Sequence, residues 1–305
     1  MADLSADLGK LKLKNPIMTA SGTCGYGSEL ADFFDPALLG AVVAKGLSIE
    51  PRPGNPPPRM TETPSGMLNA IGLENVGLAA FIRDKLPWLV EHGVTTVVNI
   101  LGETEQEYEA LARALGRESG VAMIEVNVSC PNVEAGGLFF GTDPEATARV
   151  VEAVVSQARG KPVMVKLTPM VSDIAEVAQA AVQAGADVIS LINTIPAMAV
   201  DISTRKPALK NIVGGMSGPA IKPVGLRSVW QVAGAIDVPV VGGGGIMNAR
   251  DALEYLLVGA RAVQVGTANF VDPLTCINII KGIEDYFNEN GITGLEDWVG
   301  KLDIT

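Results

Sequence analysis

The chain has 305 residues, of which 48% are hydrophobic and 19% charged, and this balance excludes a disordered chain and supplies a large apolar core. The formal net charge is −11, and an acidic surface repels phosphate backbones and anionic lipid, which argues against nucleic acid and membranes as partners. Length alone leaves one large domain or two ordinary ones open.

Eight short, almost wholly apolar runs recur along the chain and are predicted to be β-strands. Because apolar residues occupy successive positions in them, each strand is expected to be buried on both faces, as in a parallel sheet. In order, the runs are PIMTAS (16–21), AVVAKG (41–46), TVVNIL (96–101), IEVNVS (124–129), PVMVKL (162–167), VISLIN (188–193), PVVGGG (239–244) and AVQVGT (262–267).

Helix signals separate these strands. Capping boxes, in which Thr and Glu satisfy backbone donors reciprocally, predict helix starts at Thr104 and Thr142. Pro223 and Asn248 predict two later starts. Three helices are predicted to end at a glycine just before a strand, in EHGVTTVV, AGADVISL and VGARAVQV. Eight strands alternating with helices predict a (β/α)8 barrel, with a doubly wound sheet as the rival fold.

Two segments, residues 47–75 and 195–222, are too long for simple connections and are rich in proline and glycine. Such long loops in a compact domain usually serve as lids or binding loops. Residues 1–15 are expected to form a small hairpin under the barrel. No linker composition interrupts the chain, so residues 1–305 are predicted to form a single barrel domain.

The cysteines and the N-terminus bear on the compartment. The chain begins MADLSADLGK, without the basic start and apolar stretch of a signal peptide, and it has no apolar run of about 18 residues. Cys24, Cys130 and Cys276 lie far apart, which predicts a reducing cytoplasm and neither a disulfide framework nor an iron–sulfur site. His92 is the one histidine, so no His-based zinc site and no metal are predicted.

Polar residues stand at the ends of the predicted strands, where active sites lie in this fold. Two of them, Lys45 and Lys166, stand inside apolar runs, and a buried ammonium is costly without an anionic partner. A lysine that emerges into water at the barrel rim is the plainer interpretation of either one alone. Two at equivalent positions favour an anionic or electron-rich ligand. The others are Ser21, Asn99, Asn127, Asn193 and Thr194.

Glycines end the seventh and eighth strands, in PVVGGGGIMN and QVGTAN. Loops after these two strands commonly bind phosphate through backbone amides and a helix N-terminus. The glycines lack the G-x-G-x-x-G spacing of a dinucleotide site and do not follow a first strand. They therefore predict a site for a single phosphate group, such as that of FMN.

The sequence NVSCPN, at the end of the fourth strand, contains Cys130. A lone cysteine is more often a small buried hydrophobic residue, but here polar residues and a strand-ending proline surround it. A free thiol has a pKa of about 8.5, near the working pH that a general base requires. His92 precedes the third strand, at the opposite end of the barrel, so Cys130 is favoured as a base over a histidine-activated nucleophile.

Several blocks, in order and over almost the whole chain, resemble the class 1 dihydroorotate dehydrogenases. They are GNPPPRMTETPSGMLNAIGLENVGL, NVSCPN, VKLTP, INT, GGMSGPAIKP and VGTANF. SGMLNAIGL, NVSCPNVEAGG and FGTDP are most similar to the class 1B catalytic subunits, whereas class 2 enzymes carry serine at position 130. The resemblance implies FMN-dependent oxidation of dihydroorotate to orotate in de novo pyrimidine biosynthesis.

Carried over by position, the resemblance also implies site residues and a partner. Cys130 would be the catalytic base. FMN, one per chain, would be held by Ser21, Lys45, Gly46, Asn99, Asn127, Lys166, Ile192, Gly218, Gly244, Gly245, Gly266 and Thr267. The substrate would be held by Lys45, Asn69, Ala70, Ile71, Gly72, Leu73, Asn127, Asn132, Asn193 and Thr194. An electron-transfer subunit with FAD and a 2Fe–2S cluster would pass electrons to NAD, in a heterotetramer of two catalytic and two electron-transfer subunits.

One departure from the family pattern concerns Pro196 and Ala197, where a glycine usually precedes the methionine, so the local loop geometry is expected to differ. Four alternatives remain open from the sequence. They are a fumarate-using class 1A enzyme, a dihydropyrimidine dehydrogenase-type flavoenzyme, a flavin-free barrel isomerase or lyase that binds a phosphorylated metabolite, and a non-catalytic binding protein.

Overall fold

The computed structural model describes residues 2–129, 131–132 and 138–305, with residues 131, 132, 138 and 139 described by their backbone alone. Its centre is an eight-stranded parallel sheet. The strands are β1 Ile17–Thr19, β2 Val42–Leu47, β3 Thr96–Ile100, β4 Met123–Asn127, β5 Val163–Leu167, β6 Val188–Leu191, β7 Val240–Gly243 and β8 Ala262–Val265. All eight predicted strands are confirmed to within two residues at either end.

The sheet closes on itself, which confirms the (β/α)8 barrel and excludes the doubly wound alternative. Its strand order is β1-β8-β7-β6-β5-β4-β3-β2. The two ends of this order meet because the Thr19 amide donates to the Ala41 carbonyl at 3.3 Å and the Gly40 amide donates to the Ile17 carbonyl at 2.9 Å. Six of the eight strands are buried at every position, as the continuous apolar runs predicted.

Helices surround the barrel. They are α1 Leu78–Ala80, which continues through the π-helical turn Phe81–Lys85 into α2 Leu86–Glu91, then α3 Glu105–Leu115, α4 Pro144–Gln157, α5 Ile174–Gln183, α6 Lys222–Ala233, α7 Ala249–Leu257, α8 Ala268–Val271 and α9 Thr275–Asn290. In the part of the chain that is described, no helix is both long and apolar enough to cross a membrane.

Most of the predicted helix ends are confirmed. The Thr104 and Asn248 side chains accept hydrogen bonds from the backbone amides three residues later, as N-caps do. α6 begins at Lys222, one residue before Pro223. The prediction for Thr142 was wrong: Asp143 is the N-cap of α4 and accepts from the Ala146 amide at 2.9 Å. Proline favours the first helical position, so Pro144 moves the start by one residue.

The glycines predicted at three helix ends have left-handed backbones. Their φ angles are 65° at Gly93, 100° at Gly185 and 118° at Gly259. Each follows the last residue of its helix by two positions. A glycine adopts this conformation without the clash that a Cβ atom would cause.

The two long segments pair with each other into a four-stranded antiparallel sheet. Its strand order is Ile195–Met198, Val213–Ser217, Gly66–Asn69 and Met60–Thr63. These strands were not predicted, because they are at most five residues long and lie among prolines and glycines without an apolar run. The expected N-terminal hairpin is confirmed and pairs Ala6–Asp7 with Lys12–Leu13.

Candidate active site

One cavity of about 1120 Å³ opens at the carboxyl ends of the barrel strands and is bordered by both long segments. It gathers every residue with a described side chain that the resemblance assigned to FMN or substrate. These are Ser21, Lys45, Gly46, Asn69, Ala70, Ile71, Gly72, Leu73, Asn99, Asn127, Lys166, Ile192, Asn193, Thr194, Gly218, Gly244, Gly245, Gly266 and Thr267.

Two predicted residues are not tested by this arrangement. Cys130 lies outside the described residues, and Asn132 is described by its backbone alone. Asn132 belongs to the short strand Pro131–Asn132, which pairs with Leu138–Phe139. The roles predicted for Cys130 and Asn132 therefore stay predictions.

The charged side chains that line the cavity give it a positive balance, against a chain that is acidic as a whole. Among the described lining residues the cations are Lys45, Arg59 and Lys166, and Glu74 is the one carboxylate. Glu74 lies 2.5 Å from the Arg59 guanidinium and 3.9 Å from the Lys45 ammonium. Two positive charges are thus in excess, and such a cleft concentrates anionic ligands.

Lys166 is the residue before the last in β5 and is 7% exposed. Its ammonium donates to Oε1 of Gln264 at 2.9 Å, and no carboxylate of a described residue lies within 4 Å of it. Since an ammonium has three donors, two remain for a ligand acceptor. Lys166 is therefore the buried cation that the sequence predicted, and its partner in the protein is a neutral amide.

Asparagines form the wall at the ends of β4 and β6. Oδ1 of Asn127 accepts from Nδ2 of Asn193 at 3.2 Å and from the Ser129 amide at 3.1 Å. Oδ1 of Asn193 accepts from the Thr194 amide at 2.8 Å. These bonds occupy the carbonyl ends of both amides, so Nδ2 of Asn127 is presented as a donor without an acceptor among the described residues. The arrangement suits a ligand that carries carbonyl oxygens.

The glycine-rich end of the cavity fits a phosphate group. The amides of Gly244, Gly245, Gly266 and Thr267 have no acceptor among the described residues. Gly244 and Gly245 have φ angles of 116° and 74°. A Cβ atom on Gly245 would lie 2.8 Å from the Gly218 carbonyl oxygen and 2.9 Å from the Lys222 amide nitrogen. Clustered free amides with no side chain over them bind phosphate oxygens well.

Several polar residues in and beneath the cavity were not predicted from the sequence. The Ser129 hydroxyl lines the cavity and is the one buried side-chain polar atom without a hydrogen-bond partner among the described residues. Glu125, Ser190 and Gln264 are buried inside β4, β6 and β8. The sequence signal for these three is a polar residue in the middle of an otherwise apolar strand, whereas the predicted site residues lie at strand ends.

The departure at Pro196 and Ala197 leaves the strand intact. Pro196 pairs with Gly215, and Ala197 pairs with Gly214, in register with the rest of the antiparallel sheet. Pro196 also lines the cavity. A proline has no amide hydrogen to donate, so the pair depends on the other backbone bonds of the ladder.

The chain matches the dihydroorotate dehydrogenase family over residues 3–287. It is 55% identical over 302 residues to the protein from Geotalea daltonii named "Dihydroorotate dehydrogenase B (NAD(+)), catalytic subunit", with 99% of each chain covered. Proteins of the same name from Geotalea uraniireducens and Pelobacter propionicus are 55% and 54% identical, over 98% and 99% of each chain. The resemblance in the sequence is thereby confirmed, and the chain belongs to the dihydroorotate dehydrogenase family.

Proposed function

We propose that this chain oxidises dihydroorotate to orotate in pyrimidine biosynthesis, as the FMN-bearing catalytic subunit of an NAD-linked enzyme. The observation that carries the proposal is a shared cavity at the strand ends, which is lined by every predicted flavin and substrate residue whose side chain is described. Pockets for one drug-sized ligand measure about 300–1,000 Å³. A cavity of about 1120 Å³ leaves room for a cofactor with a small substrate beside it.

The described residues fit FMN. The free amides of Gly244, Gly245, Gly266 and Thr267 would bind its phosphate. Lys166 would lie at the N1–O2 edge of the ring and balance the negative charge that develops there. When bound, FMN supplies the hydride acceptor. A flavin-free isomerase or lyase would use the same phosphate site but would be colourless, so the colour of the purified chain separates these classes.

The substrate ring presents alternating carbonyl and N–H groups, which asparagine amides complement with donors and acceptors. Asn69, Asn127 and Asn193 line the cavity and supply such amides, and Asn132 is proposed to join them. Lys45 is proposed to pair with the substrate carboxylate. Uracil-type substrates have no carboxylate, so this lysine favours dihydroorotate over a plain dihydropyrimidine.

Cys130 is proposed to be the base and would take the proton from C5 of the substrate, while bound FMN would supply the acceptor for the hydride of C6. The other two thiols do not suit the role. Burial raises the pKa of Cys24 to about 11, and burial also raises the pKa of Cys276 far above its usual range. Neither lines the cavity, whereas Ser129, the chain neighbour of Cys130, does.

An electron-transfer subunit is proposed as the partner, carrying FAD and a 2Fe–2S cluster in an assembly of two subunits of each kind. The sequence has no dinucleotide fingerprint and no cysteine cluster with which to reach NAD itself. The names of the relatives, which combine NAD(+) with "catalytic subunit", support this arrangement over a fumarate-using enzyme. The sparse cysteines still favour a cytoplasmic location.

A substrate panel tests the proposal. The purified chain is mixed under anaerobic conditions with dihydroorotate, dihydrouracil or a methyl ester of dihydroorotate, and flavin reduction is followed. We expect only dihydroorotate to reduce the flavin at low concentration. Lys45→Met should weaken the binding of dihydroorotate but not that of dihydrouracil, so the difference between the two substrates should become smaller. Faster reduction by dihydrouracil than by dihydroorotate would exclude the proposed substrate.

A further inference from the structure

A buried carboxylate stands inside the barrel, beneath the cavity. Glu125, in the middle of β4, is 0% exposed. It accepts hydrogen bonds from Nδ2 of Asn99 at 2.6 Å, Nε2 of Gln264 at 2.6 Å and the Ser190 hydroxyl at 3.0 Å. Three donors from β3, β8 and β6 thus converge on one side chain, which does not line the cavity. A buried ionised carboxylate is tolerated when donors satisfy it in this way.

This carboxylate decides which way two amide side chains face, because an ionised carboxyl group accepts hydrogen bonds and donates none. Asn99 must turn its Nδ2 inward, which leaves its Oδ1 beside Gly46, where a Cβ atom would lie 2.7 Å from that oxygen. Gln264 must likewise turn its Nε2 inward. Its Oε1 is then the atom that accepts from the Lys166 ammonium.

The orientation of Gln264 is what makes a neutral amide a suitable partner for a cation. If Gln264 were reversed, its NH2 group would face the ammonium, and two donors would oppose each other in a buried place. Lys166 has no carboxylate in direct contact, but the negative charge of Glu125 lies on the other side of the Gln264 amide. The chain Glu125–Gln264–Lys166 therefore runs from the barrel interior to the cavity wall.

We propose that Glu125 is a positioning residue for the flavin site: its carboxylate fixes the amide orientations of Asn99 and Gln264 and, through Gln264, holds the Lys166 ammonium at the cavity wall. The inference rests on the proposed function, since Asn99 and Lys166 matter only if FMN binds there. Ser190 shares the carboxylate but leads to no residue of the cavity. Its hydroxyl can donate or accept, so it does not depend on the polarity of its neighbour.

Glu125→Gln tests the polarity directly. The glutamine NH2 group would oppose a donor of Asn99 or Gln264, so one of these amides must reverse or lose its bond. A hydrogen bond that involves a charged group corresponds to roughly a tenfold or larger change in affinity. We expect the Kd of the apoprotein for FMN, measured by quenching of FMN fluorescence, to rise at least about tenfold in Glu125→Gln.

The exchange Glu125→Gln with Gln264→Glu keeps the charge and restores every partner. Asn99 would donate to the new Oε1 at position 125, the new NH2 would donate to the carboxylate at position 264, and Lys166 would pair with that carboxylate. Gln264→Glu alone would instead set two carboxylates against each other. We therefore expect the double variant to bind FMN more tightly than either single variant.

Two controls separate positioning from general damage. Ser190→Ala removes one hydrogen bond from Glu125 and is expected to lower the Tm without changing the Kd for FMN. Glu296→Gln removes the same charge from a side chain that is 72% exposed and pairs with Arg261. Arg261 lies just before β8, at the other end of the barrel, so this variant should change neither the Tm nor the Kd for FMN. If Glu125→Gln does not fold, a double variant that folds and binds FMN supports the proposal equally.

The outcomes that overturn the proposal are distinct from a failure of the proposed function. Wild-type FMN affinity in Glu125→Gln, or a double variant no better than the weaker single variant, would contradict the positioning role. If the wild-type apoprotein itself fails to bind FMN, the proposed function is wrong. The orientation of Gln264 is then still tested by Tm in the absence of ligand, where the double variant must be more stable than both single variants.

Discussion

Gly245→Ala is the change that most sharply tests the glycine-rich end of the cavity. Gly245 has a φ angle of 74°, a backbone conformation that costs a residue with a side chain about 1–2 kcal/mol. Its Cβ atom would also lie 2.8 Å from the Gly218 carbonyl oxygen and 2.9 Å from the Lys222 amide nitrogen. Such overpacking costs about 1–3 kcal/mol, and both contacts are backbone atoms that cannot rotate away.

The cost of the backbone conformation can be separated from the cost of the clash, because Gly160→Ala has the same backbone strain but no clash. Gly160 has a φ angle of 83°, and its Cβ atom would meet no other atom within 4 Å. Both variants should lose about 1–2 kcal/mol of stability from the backbone. In Gly245→Ala the clash displaces the start of α6 and the carbonyl of Gly218, both at the predicted phosphate site. If FMN binds only when these backbone atoms move back to their original positions, the Kd for FMN rises roughly 5- to 140-fold.

The assay is the FMN content of each purified variant, followed by the Kd of the apoprotein from fluorescence quenching and the Tm from calorimetry. We expect Gly160→Ala to keep one FMN per chain with a lowered Tm. Gly245→Ala should emerge largely free of FMN. If Gly245→Ala bound FMN as tightly as Gly160→Ala does, the phosphate would not lie against this backbone and the assignment of Gly244 and Gly245 would be refuted.

Three further predictions concern catalysis. Cys130→Ala should keep FMN and lose most flavin reduction by dihydroorotate, and Cys130→Ser should reduce slowly and need higher pH, because a hydroxyl ionises less readily than a thiol; a near-normal rate in Cys130→Ala would exclude the base role. Glu74→Gln should lower the KM for dihydroorotate by up to about fivefold at low salt, since it removes the anion that competes for Lys45 and Arg59; a higher KM would contradict this. With dihydroorotate as substrate, the purified chain should form no NADH from NAD and should turn over poorly with fumarate, as assays with each acceptor would show; NADH formed by the chain alone would exclude the need for a partner subunit.

The barrel could be predicted from the sequence because its physical cause is local. A strand buried on both faces is apolar at most positions, as in Val163–Leu167 and Val240–Gly243. Glycine at a left-handed helix end, such as Gly259, is equally visible. The antiparallel sheet over the cavity was missed because its stability comes from pairing between Gly66–Asn69 and Val213–Ser217, which lie far apart in the chain.

The polar residues of the site were predicted where they lie at strand ends and were missed where they lie in the middle of strands. Lys45 and Lys166 were recognised because a lysine in an apolar run demands a partner. The partners themselves differ from simple expectation. Lys166 contacts the amide of Gln264 and not a carboxylate, and the carboxylate that orients that amide, Glu125, sits on a different strand. Strand register decides which side chains meet inside a barrel, and this register could not be deduced from the sequence.

If this cavity holds FMN beside dihydroorotate, the visible spectrum of the purified chain must show both the flavin and its reduction. We predict a yellow protein with the flavin absorption band, which bleaches when dihydroorotate is added under anaerobic conditions. A colourless protein that does not take up FMN, or a flavin band that dihydroorotate leaves unchanged, would mean that the cavity does not hold FMN beside dihydroorotate.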